Sequence, residues 1–258
     1  MHLSKDTNNL KLNTTLLFFL LLKFLKVDLI CDIGSMDGSS SLRFRKILPY
    51  VDIFAFEANP INFKSMQEDE KLVHQSLFIQ NKAVWKSDGK IKFYMIPYSE
   101  KDVFKKGISS TRRRVLKNSD VDEVEVEVES VRLDNFILNL SKQYKHIALW
   151  IDVEGAAYEV LLGIKNIIDR VNLIHVEVET KRYWEDQKLK QDVENLTEEM
   201  GFHLLGRGLN EDQHDLVFVN QKNYEKNPLK YRLIVLSSLF FQHLLKIRRI
   251  ILNVKMFR

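Results

Sequence analysis

Short apolar runs that end in acidic or amide residues, alternating with stretches of helical spacing, constrain this chain more than any other feature. Val27–Ile33 leads into Gly34, Val51–Phe56 into Glu57, and Leu77–Trp85 carries Asn81 and Ala83. Ile147–Val153 runs into Glu154-Gly155 past Asp152, and Val171–Glu179 carries His175, Glu177 and Glu179. Helical patterns over Ser39–Leu48, Pro60–Glu70, Asp134–Ser141, Ala156–Ile168 and Trp184–Met200 alternate with these runs. Strands joined through helices predict an α/β fold, a mostly parallel sheet with helices on both faces. Phe202–Leu205 and Leu216–Asn220 follow with no helix between them, which predicts an antiparallel hairpin at one edge. One interval breaks the alternation. Lys90–Pro97 reads as a strand, Gly107–Asn118 as a polar basic loop, and Glu123–Val131 as a strand with one wet and one apolar face.

A chain of 258 residues can bury a full core, and no Pro/Gly-rich linker divides it. The expected organisation is an N-terminal helical extension over residues 1–26, one domain over 27–221 and a basic helical tail over 222–258. The net charge of +4 is uneven, because the tail carries nine Lys or Arg against Glu225 alone, leaving the rest near 4 − 8 = −4. An acidic body argues against nucleic acid as a partner, since that affinity rests on phosphate neutralisation. The lone Cys31 excludes an internal disulfide and a cysteine-based metal cluster, and fits a reducing, cytoplasmic compartment. Leu16–Leu22 falls well short of the ~20 residues a membrane span needs, and reads as an amphipathic helix covering the domain's edge. Residues 231–258 mix large apolar side chains with Lys and Arg. They read either as a helix lying peripherally at the inner face of a membrane, or as one packed on its own domain or a second subunit.

In an open parallel sheet, ligands bind beyond the carboxyl ends of the strands, where the strand order reverses. Gly34 and Gly38 permit a tight turn whose amide groups open a helix, and Glu57 stands 19 residues beyond Gly38. That is near the spacing at which an acid accepts ribose hydroxyls, so the pattern points to a cofactor containing a nucleoside. Met36 occupies the place of a dinucleotide fold's middle glycine, a third glycine is missing, and no Gly-Lys-Ser/Thr follows. Asp32, directly before the turn, is expected to repel a pyrophosphate and to suit the positive groups of S-adenosylmethionine instead.

At these residues the chain resembles the FkbM-type S-adenosylmethionine-dependent methyltransferases. The resemblance is carried by CDIGSMDGSS, FEANP, NKAV, SVRLDNF and WIDVEGAAYEVLLG, in order between Val27 and Asn220. Met36, Ala58 and Ala157 stand where that family commonly has Asn, Pro and Glu. The resemblance implies a class I methyltransferase fold, Rossmann-like, with a seven-stranded sheet whose last strand is antiparallel, and O-methylation of a small polar metabolite or glycan. It places Asp32, Gly34, Gly38 and Glu57 on the cofactor, Asn81 and Ala83 near its adenine, and Ser109, Ser110, Asp134, Asp152 and Glu154 at the centre of the site.

Methyl transfer to a hydroxyl needs a positioned acceptor and a group to take its proton. Asp152 and Glu154, two apart at the end of one strand, are the expected catalytic pair, and Ser110, Asp134 and Glu177 are assigned to substrate. Asp152, Glu177 and Glu179 with His175 would also suit a divalent metal, but solvated strand-end acids are commoner and no metal is assigned. Arg112-Arg113-Arg114 in the basic loop would suit an acidic substrate, with a solvated loop the simpler reading. The competing function is a non-catalytic methyltransferase-like module that binds membrane or a partner through its basic tail.

Overall fold

The structure, a computed structural model, describes residues 12–97, 106–115, 123–210 and 212–256. The start of the expected N-terminal extension and the end of the basic loop, residues 116–118, lie outside the described residues. In chain order the elements are α1 (Thr14–Leu25), β1 (Leu29–Ile33), α2 (Ser39–Ile47), β2 (Asp52–Phe56), α3 (Pro60–Glu68) and α4 (Glu70–Val73). Next come β3 (Phe78–Gln80), β4 (Ala83–Val84), β5 (Gly89–Met95), β6 (Val124–Val131), α5 (Leu133–Leu138), β7 (Ile147–Ile151) and α6 (Ala157–Leu162). A 3-10 turn at Lys165–Arg170 leads to β8 (Val171–Glu179), α7 (Lys190–Glu199), β9 (Phe202–Leu209), β10 (Gln213–Asn220), α8 (Gln221–Lys226) and α9 (Pro228–Met256).

Seven strands form one sheet in the order β3-β2-β1-β7-β8-β10-β9. The pairs from β3 through β8 are parallel, and β10 runs antiparallel to both β8 and β9. This is the expected class I methyltransferase sheet with its edge hairpin. The order reverses between β1 and β7, which opens a crevice at their carboxyl ends. β1 and β7 read as continuous apolar runs because both of their faces are covered. One face packs on α5, α6 and α7 through Leu133, Val160, Leu161 and Val193. The other packs on α1, α2 and the first half of α9 through Leu17, Phe18, Phe44, Tyr231 and Val235.

Three expectations change here. Leu77–Trp85 is not one strand: β3 belongs to the main sheet, while β4 joins β6 and β5 in a separate three-stranded sheet. The break falls at Asn81, whose side-chain amide donates to the carbonyls of Glu57 (2.8 Å) and Ala58 (3.3 Å) and draws the chain out of register. The pattern over Ala156–Ile168 is divided at Gly163, which no longer side chain can replace: a Cβ there would lie 2.5 Å from the Trp85 carbonyl oxygen. The helix at Leu16–Leu22 does not cover an edge. It lies on the sheet face with Leu17, Phe18, Leu21 and Leu22 fully buried, and the Phe18 ring meets Trp150 edge-on at 5.3 Å. The glutamates of β6 behave as their alternation suggests, pairing on the wet side with Lys82, Lys90 and Lys92.

Because Phe18 stands between α2 and the central strands, truncating it removes core packing. Phe18→Ala is expected to lower unfolding free energy by about 3–5 kcal/mol, measured by urea denaturation. A loss under about 1 kcal/mol would mean that α1 is not part of the core.

Candidate functional site

The crevice is built around a backbone contact. Gly34 lies at φ +83°, and a Cβ on it would fall 1.9 Å from the Asp152 carbonyl oxygen. Only a residue without a side chain fits there, and the Asp152 amide completes the junction by donating to the Ile33 carbonyl at 2.9 Å. The end of β1 is thereby locked to the residue that follows β7. On the other side, the Gly34 and Ser35 amides donate to the Phe56 carbonyl, each at 3.0 Å, which ties the turn to β2.

Asp32 does not take the role expected of it. Its carboxylate accepts hydrogen bonds from the hydroxyls of Ser35 (3.0 Å) and Ser41 (2.6 Å), and it is buried behind the turn. Burial pushes its pKa up to about 6 against the pull of those serine hydrogen bonds. It shapes the turn and is not among the residues that line the cleft. Met36 carries the turn instead, at φ +52°, a left-handed conformation, with its amide donating to Glu57 Oε2 at 2.7 Å. Glu57 Oε1 accepts from the Asn59 amide at 2.7 Å, and burial raises this carboxyl to about 7.

Two arms of one cleft meet at this turn. A narrow arm is lined by Gly34, Met36, Glu57, Ala58, Ala83, Val84 and Phe93. A wide arm is lined by Trp150, Glu177, Tyr183, Trp184, Arg114 and Asn210. Gly34, Met36, Gly107, Asp152 and Glu154 line both. Trp184 reaches the wide arm because Gly155 yields to it: at φ +71°, a Cβ on Gly155 would lie 2.7 Å from the indole ring.

Of the residues singled out in the sequence, Glu57, Ala83, Ser109 and Ser110 line the narrow arm, Glu177 the wide arm, and Gly34, Asp152 and Glu154 both. Gly38 and Asn81 stand behind the wall, Gly38 over Leu72 and Asn81 on the carbonyls after β2. Ser110 is a brace, its hydroxyl donating to the Glu154 carbonyl at 2.6 Å and accepting from the Arg112 amide at 3.0 Å. Asp134 does not reach the cleft. It is fully buried at the start of α5, gripped by two nitrogens of Arg132 (3.0 and 2.6 Å) and by the amides of Asn135 and Asn166. The basic loop is likewise engaged: Arg112 pairs with buried Glu159, and Arg113 with Glu125.

The acids around the junction repel one another. Asp152 is exposed to the cleft, yet displaced water, Asp215 and Asp32 push its carboxyl up to about 7. Burial, Asp152 and Glu179 raise Glu154 to about 8, against the pull of Arg114. Burial, Asp152, Glu154, Asp215 and Glu179 raise Glu177 to about 9. Glu179 turns away, accepting from Gln187 (2.7 Å) and the Gly155 amide (3.3 Å). His175 stacks flat on Trp150 at 3.6 Å. Among the described residues no three His, Cys, Asp or Glu side chains are arranged to hold a metal.

The methyltransferase FkbM domain model matches residues 32–204, two thirds of the chain. The chain belongs to the FkbM methyltransferase family. Among curated relatives, this FkbM-family chain is 28% identical to the 2-O-methyltransferase NoeI of Sinorhizobium fredii over 165 residues, which is 61% of the chain and 66% of that protein, just under two thirds of its length. Solved structures with a similar course include a precorrin-6y C5,15-methyltransferase of Geobacter metallireducens (TM-score 0.43, 11% identity, 84% of this chain and 91% of that one). Another is the N-terminal domain of EvdMO1 with SAH bound (TM-score 0.41, 10% identity, 78% and 77%). Family membership points to S-adenosylmethionine as the cofactor, and the narrow arm fits it. Apolar walls at Ala58, Ala83, Val84 and Phe93 suit a flat base, and the Glu57 carboxyl beside them suits sugar hydroxyls. Phe93, Tyr183 and Trp184 lie far from the glycine turn along the chain and carry no motif that marks them as site residues, and Trp150, although it opens the WIDVEGAAYEVLLG stretch, reads there as part of an apolar strand.

Asp152, Glu154 and Glu177 hold their protons to higher pH in the folded chain than when unfolded. Through these three groups the folded FkbM-family chain binds more protons between about pH 4.5 and 9, and what they contribute to stability falls as pH rises through that window. Melting temperature is expected to drop from pH 6 to pH 9, and Glu177→Gln, which cannot ionise, is expected to lessen the drop. An unchanged slope in that variant would show that Glu177 is not held protonated.

Proposed function

We propose that this methyltransferase acts on a hydroxyl of a small polar metabolite or glycan. The observation that carries this reading is the position of Asp152 where the narrow and wide arms meet. S-Adenosylmethionine, when bound, supplies an activated methyl carbon on a sulfonium, so little is left for the protein except positioning and proton removal.

Asp152 is suited to both tasks. It opens to the cleft, and a carboxyl held near pH 7 takes up a proton more readily than an ordinary aspartate does. It would take the proton of an acceptor hydroxyl and hold that oxygen in line with the methyl group the cofactor supplies. Glu154, on the same junction and raised further, holds the acceptor or receives the proton after Asp152. Across the wide arm, Glu177 stays protonated near neutrality and can donate a hydrogen bond, while Tyr183 and Trp184 offer aromatic surfaces. Donors, acceptors and flat rings on facing walls suit a hydroxylated ring. That the Sinorhizobium fredii relative is a 2-O-methyltransferase supports oxygen as the methylated atom.

Asp152→Ala is expected to bind S-adenosylhomocysteine in calorimetry much as the parent does, while turnover of a hydroxylated acceptor falls by about a hundredfold or more. Undiminished turnover would remove Asp152 from the chemistry. Loss of turnover together with binding would assign it to the cofactor site alone.

A further inference from the structure

The 29-residue helix α9 has two faces of different character. Tyr231 and Val235 are buried against the body, and Phe24 of α1 meets Tyr231 edge-on at 5.5 Å. On the far side Leu229, Leu233, Leu236, Phe240, Leu244 and Ile247 are between 43% and 72% exposed. At about 100° per residue these six fall within about 80° of one another, a single outward stripe. A soluble surface leaves large apolar side chains exposed singly, and a continuous row marks a contact site.

Charge decides what the stripe is made to meet. From residue 226 to 258 the chain carries eight Lys or Arg and no acid. Lys230 and Arg232 fall on opposite flanks of the stripe by helical register. A second copy of the same helix would bring like charges together, whereas an anionic surface is attracted by them. No described helix is long and apolar enough to cross a membrane, so the stripe is suited to lying in an interface. Its C-terminal half also borders the cleft: Gln242, Leu245 and Lys246 share a hollow with Asn210, which lines the wide arm.

We propose that α9 is an interfacial anchor that seats this chain on an anionic lipid bilayer, with Leu229 to Ile247 entering the headgroup region beside the cleft mouth. The inference does not depend on which acceptor is methylated. The full-length chain is expected to co-sediment with vesicles of phosphatidylcholine containing phosphatidylglycerol, and roughly tenfold less with phosphatidylcholine alone. Leu236→Glu/Phe240→Glu in the full chain alters exposed positions only, and is expected to weaken vesicle binding by about tenfold or more. Its binding of S-adenosylhomocysteine should stay unchanged in calorimetry, which shows that the fold is kept. Failure to sediment with anionic vesicles, or equal sedimentation of parent and double variant, overturns the anchor. A concentration-dependent dimer in light scattering that the double variant abolishes overturns it in favour of self-association. Failure to bind S-adenosylhomocysteine with vesicle binding intact would instead count against the methyltransferase reading.

Discussion

The contact between Gly34 and the carbonyl of Asp152 is the constraint on which the site depends. It holds two strands that the chain separates by more than a hundred residues at the point where the sheet order reverses. A side chain at Gly34 would force the turn off the end of β7. The arms of the cleft would then lose their common wall, since Gly34 and Asp152 line both. The hydrogen bonds of the turn to Phe56, and of Met36 to Glu57, extend the same arrangement to β2. Three strand ends thus form one rigid ledge.

Around that ledge the protein spends its polar side chains in two ways. Asp32, Asn81, Ser110 and Asp134 are used up in holding backbone or neighbouring side chains, each with short hydrogen bonds. Asp152, Glu154 and Glu177 are left facing space, without enough partners to offset their mutual repulsion. Clusters of this second kind are costly to a fold and persist where chemistry uses them. The contrast separates acids bound into the scaffold from acids left facing the cleft more sharply than position in the chain does.

The two ends of the chain also contribute to the body. α1 fills the sheet face beneath Trp150 and His175, and the first half of α9 closes over it with Tyr231 and Val235. The aromatic stack of His175 on Trp150 lies directly behind the acids of the wide arm. Helices outside the matched residues 32–204 therefore support the sheet under the site.

The sheet, its edge hairpin and the location of the crevice were legible in the sequence, because buried parallel strands must be apolar throughout and their ends must turn. Gly34, Glu57, Asp152 and Glu154 stood out for the same local reason: each is a polar or flexible residue placed directly after an apolar run. What a strand-end residue faces was not legible. Asp32, inside β1 opposite Trp150, and Asp152, just past the end of β7, both sit close to the strand ends, yet one is sealed by two serines and the other opens into the cleft. That outcome depends on the course of the turn from β1 into α2, which folds Ser35 and Ser41 back onto Asp32, and on the close approach of the end of β7 to Gly34. The sequence alone determined which residues end the strands. The tertiary structure decided which of them hold the turn and which face the cleft, because the path of the turn and the approach of Gly34 to Asp152, far along the chain, exist only in the fold.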